Sequence, residues 1–360
     1  MIYIGAETMI SPLGSTTEEN WSALKENRSG ISWVAGAGLH HQGLFLARFH
    51  PIEKDRRFTS LLYEGMQQVA LKLDPSIMLS ARTQVVVSAT KGAVDTDIRD
   101  PFGGVFNKFK THFGLAHQPI VVSNACISGV QAINFGDELV GAGQFDQVIV
   151  IGVDLITDFV VNGFQSLYAV SDKPCRPFDA ARKGITLGEG CAAVVVGNDR
   201  SIFAEAPLEL LAGSSSNDAN HISGPSRTGE GLVRAVRRTL MRQGCQPEDI
   251  DLVSAHGTAT LYNDEMEAIA FNRLGLQECP TLSLKGYFGH TLGCAGVLET
   301  AATMQMMRHG LMVRSEGFEN LGTSKPLPIL TENCKGPINT FIKTASGFGG
   351  GNAALIVRKL

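Results

Sequence analysis

The chain has 360 residues, of which 44% are hydrophobic and 18% charged, and its formal net charge is −4 at pH 7. This composition is typical of a globular protein that buries a large core or an oligomer interface, and the mildly acidic balance argues against nucleic acid or an anionic membrane as a partner. No apolar run reaches the length of about 20 residues that spans a bilayer, and the start Met1–Gly5 has neither a basic segment nor a cleavage site. We therefore expect a cytoplasmic protein without a membrane span.

Short β-branched runs alternate with helical patterns along the chain, which indicates an α/β fold with parallel-type strands. The predicted strands are Ile2–Gly5, Gln84–Ala89, Ile120–Ser123, Gln147–Val153, Ala192–Gly197, Leu208–Ala212, Leu252–Ala255, Thr281–Leu284, Asn339–Thr344 and Ala353–Val357. The predicted helices are Thr17–Glu26, Ser60–Leu73, Ser128–Ala142, Gly229–Gln243, Asp264–Leu274 and Gly296–His309.

This pattern is nearly symmetric about residue 200, although no sequence repeat is visible. In each half, strands end in a sharp turn of small residues that a helix follows. These segments are Val121–Gly129 in the first half, and Leu252–Thr260 and Leu282–Gly296 in the second. We therefore predict two similar α/β halves, residues 1–200 and 201–360, whose strand ends meet at one central site.

Cys126 is the cysteine whose surroundings suggest chemistry. The chain has seven cysteines, an odd number without a C-x-x-C pair, which argues against a disulfide framework or a structural zinc site. Cys126 lies between a strand and a helical pattern, so its thiol would sit at a helix N-terminus, where free N–H groups favour a thiolate and can stabilise an oxyanion. A small buried core residue is the alternative interpretation.

Two histidines occupy similar turns after strands. His256 lies in His-Gly-Thr-Ala-Thr after Leu252–Ala255, and His290 lies in a glycine-rich turn five residues after Lys285. A cysteine nucleophile needs a base or hydrogen-bond donors, and two neutral imidazoles could polarise a thioester carbonyl and stabilise an enolate. Either histidine alone could be structural. Together with Cys126 they predict a site for thioester chemistry with a carbon nucleophile.

These residues resemble the Cys–His–His triad and the lysine of elongating β-ketoacyl-acyl-carrier-protein synthases, which have the thiolase-like fold. The resemblance runs nearly end to end. Further matching segments are Ser11–Gly14, Trp21, Ser29–Ile31, Arg176–Asp179, Arg182, Gly184, Gly188–Gly190 and Gly347–Asn352. It implies a layered αβαβα arrangement and a decarboxylative Claisen condensation of an enzyme-bound acyl thioester with malonyl-acyl carrier protein. The product would be a 3-oxoacyl-acyl carrier protein of fatty-acid or specialised polyketide or polyene synthesis.

The resemblance also implies roles for individual residues. Cys126 would accept the acyl group, while His256 and His290 would bind the malonyl thioester carbonyl and promote decarboxylation. Lys285 would orient the site and pair with Glu299.

The implied oxyanion hole consists of the backbone amides of Cys126 and Phe348, and the Phe348 ring would act as a gate beside the cysteine. The implied supporting residues are Thr258 and Thr260 in the phosphopantetheine tunnel, and Gly347 and Gly349 in the C-terminal glycine loop. We interpret Asp179, Asp264 and Glu267 as turn, cap and salt-bridge residues that hold the site.

The sequence departs from the family pattern in two ways. It is shorter, mostly within residues 90–119, which in the family cover the acyl pocket and part of the dimer interface, and also around Ser201–Leu211. Near the site, Phe288, Ser346 and Gly351 replace the usual residues. We hypothesise an unusual acyl substrate, such as a rigid or aromatic polyene-like chain.

The resemblance implies acyl carrier protein as the partner, with a dimer formed either by two identical chains or with a ketosynthase-like homologue. Candidate docking cations are Lys54, Arg56, Arg57 and Arg182, each of which could equally be solvated surface charge. Because the substrates ride on the phosphopantetheine of the carrier, we expect no metal and no further cofactor. The segment 347–351 lacks the Lys-Ser/Thr of a phosphate-binding loop.

Three other functions remain open from the sequence. The first is a non-catalytic chain-length factor, although such subunits typically lack the nucleophilic cysteine. The second is a thiolase or an initiation synthase that uses coenzyme A, with a Cys–His–Cys or Cys–His–Asn set in place of two histidines. The third is an acyltransferase or thioesterase that uses the same thioester without condensation.

Overall fold

The computed structural model describes residues 1–49, 57–221 and 224–360. The strands in these ranges are β1 Tyr3–Ile10, β2 Ser32–Val34, β3 Leu44–Leu46, β4 Thr83–Ser88, β5 Ile120–Val122, β6 Gln147–Asp154, β7 Gly190–Gly197, β8 Leu208–Asn217, β9 Leu252–Ser254, β10 Thr281–Leu282, β11 Leu311–Met312, β12 Cys334–Lys335, β13 Thr340–Gly347 and β14 Gly351–Arg358. The helices are α1 Thr17–Lys25, α2 Arg57–Ala70, α3 Pro75–Leu79, α4 Gly103–Phe113, α5 Ser128–Gly141, α6 Asp158–Ser166, α7 Glu230–Arg242, α8 Leu261–Arg273, α9 Lys285–Phe288 and α10 Ala295–His309.

Ten strands form one sheet in the order β10-β9-β13-β14-β8-β1-β7-β6-β4-β5. Five strands of this sheet come from residues 1–200, and they have the same order and pairing directions as the five from residues 201–360. Strand β1 corresponds to β8, and β4, β5, β6 and β7 correspond to β9, β10, β13 and β14. The antiparallel pairing of β1 with β8 joins the two sets. This repeat supports the two halves, divided near residue 200, that we propose.

The ten strands predicted from the sequence are the ten strands of this sheet, and the six predicted helices are α1, α2, α5, α7, α8 and α10. The expectation of parallel strands holds for four pairings, those of β4 with β5 and β6 and those of β9 with β10 and β13. It is wrong for the remaining pairings, which are antiparallel. Within the described ranges, none of the helices combines the length and hydropathy needed to cross a bilayer.

Alternating side chains of the strands face different hydrophobic clusters, as the two-residue period of a strand requires. Val148 and Val150 of β6 pack in a central cluster with α5 and α10, whereas Ile149 and Ile151 pack in an outer cluster with α2 and α4. Because both faces of this strand are covered, it is apolar along most of its length. The strands of the second half pack in the same way between the central cluster and the outer helices α7 and α8.

Helices α5 and α10 form the central layer, since each contacts strands of both halves. Helix α2 covers the first half from outside and α7 covers the second, which gives the layered αβαβα arrangement. The first turns of α5 and α10 cross at Gly129 and Gly296, where an added Cβ would lie 2.3–2.9 Å from the facing backbone. This close crossing brings together the turns that precede the two helices, and those turns carry the predicted site.

Candidate active site

Cys126 lies in a tight turn between β5 and α5. The preceding residue, Ala125, has a φ of +45°, a left-handed conformation that non-glycine residues adopt at a cost of about 1–3 kcal/mol. The turn is closed by Ser128, whose hydroxyl donates to the carbonyl of Ala125 at 2.6 Å and accepts from the N–H of Asn124 at 2.8 Å. The sulfur therefore sits just before the first turn of α5, and the residue is only 7% exposed.

His290 meets Cys126 across the boundary between the halves. Its Nε2 lies 2.9 Å from the Cys126 Sγ. The backbone of His290 is held by residues of the first half, because its N–H donates to the carbonyl of Thr186 at 2.6 Å and its carbonyl accepts from Gly188 at 3.0 Å. The ring of His256 lies edge-to-face with that of His290 at 5.2 Å between centroids. The structure thus brings the three predicted residues together.

Lys285 lies behind the histidines. Its Nζ is 2.7 Å from Glu299 Oε1, so the contact implied by the resemblance is present, and it also donates to the carbonyl of His256 at 2.6 Å. The same Nζ is 3.3 Å from Nδ1 of His256. An ammonium group can only donate, so Nδ1 must accept and the ring proton of His256 lies on Nε2. Lys285 therefore sets the tautomer of His256.

Lys343 is a buried cation of the site that sequence reasoning missed. Its Nζ is 2.5 Å from Glu299 Oε2 and donates to the carbonyls of Ser254 and Ala255 at 3.2 and 3.1 Å. The only signal in the sequence is a lysine inside an apolar strand pattern. Because Lys285 and Lys343 share one carboxylate, this buried triad carries an excess of positive charge.

Two buried carboxylates hold the turn of His256, as we interpreted them from the sequence. Glu267 accepts from the N–H groups of His256 and Gly257 at 2.8 and 2.6 Å. Asp264 accepts from the N–H of Thr258 at 2.9 Å and from that of Phe178 at 2.7 Å. Burial, with the nearby Asp264, raises the pKa of Glu267 to about 7. These contacts fix the backbone from which the His256 ring projects.

Burial and charge determine the protonation states at the site. Burial raises the pKa of the Cys126 thiol to about 12, against the lowering effects of the Lys285 charge and a hydrogen bond from the Phe348 backbone. Burial and the Lys285 charge also hold the pKa values of His256 and His290 well below their usual range. At neutral pH the site therefore combines a thiol, two neutral imidazoles and a cationic background.

The donor atoms of Cys126, His256 and His290 lie within 4.8 Å of one another, close enough to be considered as metal ligands. Zinc accepts such a set. However, the Lys285 ammonium is 3.3 Å from His256 and shares its carboxylate partner, Glu299, with Lys343. This excess positive charge repels a cation and favours an anion, such as an enolate or an oxyanion.

A cavity of about 530 Å³ leads from Cys126 to the surface. Thr258 and Thr260 line it, as the resemblance implies, and so does Gly347 of the glycine loop, in which Gly349 has a φ of +84°. The Phe348 ring stacks on that of Phe164 at 5.5 Å beside the cysteine. Other apolar lining residues are Leu167, Tyr168, Ile185, Leu261 and Tyr262. The aromatic walls can accommodate flat, apolar groups.

The docking prediction requires correction for two of its four residues. Arg57 is buried and forms an ion pair with Glu189, and Arg182 is buried and donates to the carbonyl of Gly322 at 2.8 Å. Neither guanidinium is available to a partner at the surface, because each one satisfies interior acceptors. Lys54 and Arg56 lie outside the described residues, so their prediction stays untested.

Comparison with known proteins agrees with this geometry. Residues 107–200 match the model of the β-ketoacyl synthase N-terminal domain and residues 209–319 that of its C-terminal domain, together more than half of the chain. The chain belongs to the β-ketoacyl synthase family. The matched segments contain Cys126, His256, Lys285, His290 and Glu299. Family membership therefore rests on the segments that form the site.

Individual relatives support the same assignment. The chain is 32% identical to 3-oxoacyl-[acyl-carrier-protein] synthase 2 of Rhizobium meliloti over 253 residues, which cover 66% of this chain and 60% of that enzyme. It is 29% identical to the enzyme of the same name from Coxiella burnetii over 98% of this chain and 97% of that one. A chain from the solved complex of a Xenorhabdus doucetiae ketosynthase with its chain length factor superposes with a TM-score of 0.88 at 24% identity, covering 100% of this chain and 98% of that one. The fold is thus thiolase-like, and the non-catalytic alternative is not favoured.

Proposed function

We propose that this protein condenses an acyl group on Cys126 with malonyl-acyl carrier protein, releasing carbon dioxide and forming a 3-oxoacyl-acyl carrier protein. The observation that carries the proposal is the 2.9 Å contact between the Cys126 sulfur and His290 Nε2, with the His256 ring alongside. A nucleophile and two neutral hydrogen-bond donors, buried beside cationic lysines, are the groups that acyl transfer followed by enolate formation requires.

In the first half-reaction, the Cys126 sulfur attacks the carbonyl carbon of the carrier-bound acyl thioester. The C–S bond to the carrier breaks, and the thiol proton of Cys126 ends on the departing carrier thiol. Because the raised pKa keeps Cys126 protonated at rest, its proton must leave as the sulfur attacks. The N–H groups of Cys126 and Phe348 would stabilise the oxyanion.

In the second half-reaction, the bond between C2 of the malonyl group and its carboxylate breaks, and carbon dioxide leaves. The electron pair forms an enolate, whose oxygen accepts hydrogen bonds from the imidazoles of His256 and His290. C2 then attacks the acyl carbon on Cys126, the C–S bond breaks, and the thiolate takes up one proton. The cationic triad of Lys285, Lys343 and Glu299 favours the enolate electrostatically.

We also propose the class of acyl substrate and the partners. A rigid, polyene-like acyl group is our hypothesis for the substrate, and the stacked rings of Phe164 and Phe348 support it. The carrier would dock near Lys54 and Arg56 and deliver its substrates on phosphopantetheine. A second chain, identical or homologous, would pair along β5, because this half-buried apolar strand lies at the edge of the sheet. Saturated and polyenoyl donors tested side by side, with native mass spectrometry of the assembly, check these points.

The function is tested by intact-protein mass spectrometry of the wild type and of Cys126→Ala after incubation with a panel of carrier-bound acyl thioesters. We expect an acyl adduct on the wild type only, and its conversion to 3-oxoacyl carrier on addition of malonyl carrier. A folded wild-type protein that takes no adduct from any donor would point instead to a non-catalytic partner subunit. An adduct that water or a second acceptor removes without a 3-oxo product would point to a thioesterase or an acyltransferase.

A further inference from the structure

Asp154, the last residue of β6, is a fully buried carboxylate that the proposed chemistry does not use. Its Oδ2 accepts from the N–H groups of Thr90 at 2.9 Å and Gly293 at 2.8 Å. Its Oδ1 accepts from the hydroxyl of Thr90 and from the Nζ of Lys91, both at 2.9 Å. Together, these four donors fill the hydrogen-bond acceptor positions of the two carboxylate oxygens.

The contacts of Asp154 join three segments that surround the site. Thr90 follows β4 and accepts on its carbonyl from Ser123, which lies three residues before Cys126, at 3.3 Å. Gly293 lies three residues after His290, in the turn that leads into α10. A Cβ at Gly293 would lie 2.8 Å from the Asp154 carboxylate, so a residue larger than glycine would not fit here without a shift. The bond to Gly293 therefore crosses between the halves beside the contact of Cys126 with His290.

Lys91 balances the charge of this carboxylate in the interior. The Lys91 side chain is 9% exposed, and its Nζ forms the ion pair with Asp154. Burial is the main cause of the raised pKa of Cys126, and Asp154 raises it further, whereas Lys285 lowers it. Among the residues that the structure describes, the charged or titratable groups that face the thiol from the surrounding elements are His256, Lys285, His290, Glu299 and Asp154.

We propose that Asp154 is a positioning residue: it holds the turn of His290 in register with the strand ends that carry Cys126, and Lys91 is the counter-ion that partly offsets its charge. The inference rests on the proposed condensation for its catalytic consequence. Asp154→Asn should therefore change two rates in opposite directions. Loosening the His290 turn should lower the rate of condensation, whereas removing the negative charge of Asp154 should make the Cys126 thiol more reactive.

The test compares Asp154→Asn with Asp146→Asn. Asp146 forms a 2.8 Å ion pair with Arg82 that bridges the same two strands at their other ends, where both side chains are about half exposed. For Asp154→Asn we expect kcat per titratable Cys126 to fall about 10²-fold with little change in KM. Alkylation of Cys126 at fixed pH should at the same time become severalfold faster. Asp146→Asn should match the wild type in both measurements. A loss of packing alone would slow or preserve both rates together.

Lys91→Met and Lys91→Arg keep the proposal testable if Asp154→Asn does not fold. The methionine variant leaves the carboxylate uncompensated, so the pH profile of Cys126 alkylation should move to higher pH, and the arginine variant should restore it. A profile of Lys91→Met that superposes on the wild type, or an unchanged kcat in folded Asp154→Asn, overturns the proposal. If the wild-type protein does not condense at all, the proposed function fails, while the alkylation profiles still decide the pairing of Lys91 with Asp154.

Discussion

The turns after β5 and β10 are topologically equivalent but carry different chemistry. Residues 123–127 connect β5 to α5 in one tight turn and present a single thiol at the start of the helix. Residues 283–294 connect β10 to α10 through the short helix α9, and this longer path places both Lys285 and His290. In the proposed mechanism, one half provides the nucleophile, and the other provides the hydrogen-bond donors and the cations. The contact between Cys126 and His290 depends on the close crossing of α5 and α10, which brings the two turns together.

The largest expected effect separates the contributions of the two turns. His290→Ala should lower the rate of condensation about 10²–10³-fold, because the enolate loses a hydrogen-bond donor, while the acyl adduct on Cys126 still forms. Mass spectrometry of the adduct and the rate of carbon dioxide release check both parts. His117→Ala is a matched control, since this histidine precedes β5 at the opposite end of the strand. Full condensing activity in His290→Ala would remove the two-histidine mechanism.

The cationic background of the second turn is tested by Lys285→Met. Burial and then the Lys285 charge lower the pKa of His256, so the pKa should rise toward its usual value when the ammonium is removed. A histidine with a higher pKa becomes protonated at a higher pH. The acid limb of the pH–rate profile should therefore move to higher pH, and kcat at neutral pH should fall. An acid limb that stays in place would show that Lys285 does not control this imidazole.

The crossing that joins the two turns can be broken by Gly296→Ala. The new methyl group would lie 2.3 Å from the backbone nitrogen of Val130, so the helices must move apart. We expect the free energy of unfolding to fall by about 1–3 kcal/mol, measured by chemical denaturation. Gly163→Ala is the control, because this glycine of α6 has open space around it and should be neutral or slightly stabilised. Equal stability of both variants would contradict the close crossing.

The smallest expected effect concerns docking of the carrier, which would deliver the substrates to the site between the two turns. Lys54→Glu combined with Arg56→Glu should raise KM for carrier-bound substrates severalfold and leave kcat unchanged, with the difference shrinking at high salt. Arg57 is excluded from this test, because a glutamate there would face the buried Glu189. Kinetics with substrates on a phosphopantetheine fragment provide the control. An unchanged KM for the carrier would rule out this docking site.

The sequence predicts the ten strands of the sheet because short β-branched runs between turn residues are a strong local signal. It misses α6, because the segment Asp158–Ser166 contains two valines and Gly163, residues of low helix propensity. It also misses α4, which begins with Gly103 and Gly104. In both cases tertiary packing stabilises a helix that local propensity does not favour.

For the site, residues in recognisable turns could be predicted, whereas those defined only by burial could not. Cys126, His256 and His290 stand in such turns. Lys343 and Asp154 contact residues that are distant in sequence, and their one local signal, a charged residue in an apolar strand pattern, does not identify those partners. The same lack of information about burial explains why the docking prediction is wrong for Arg57 and Arg182.

The central claim is that the thiol of one half and the histidines of the other perform one condensation. It is tested most directly by a single-turnover chase of acylated wild-type enzyme with malonyl carrier labelled in its free carboxyl group. We predict one labelled carbon dioxide and one 3-oxoacyl carrier for each adduct lost, and an adduct that persists in His290→Ala. Loss of the adduct without release of labelled carbon dioxide would contradict the account.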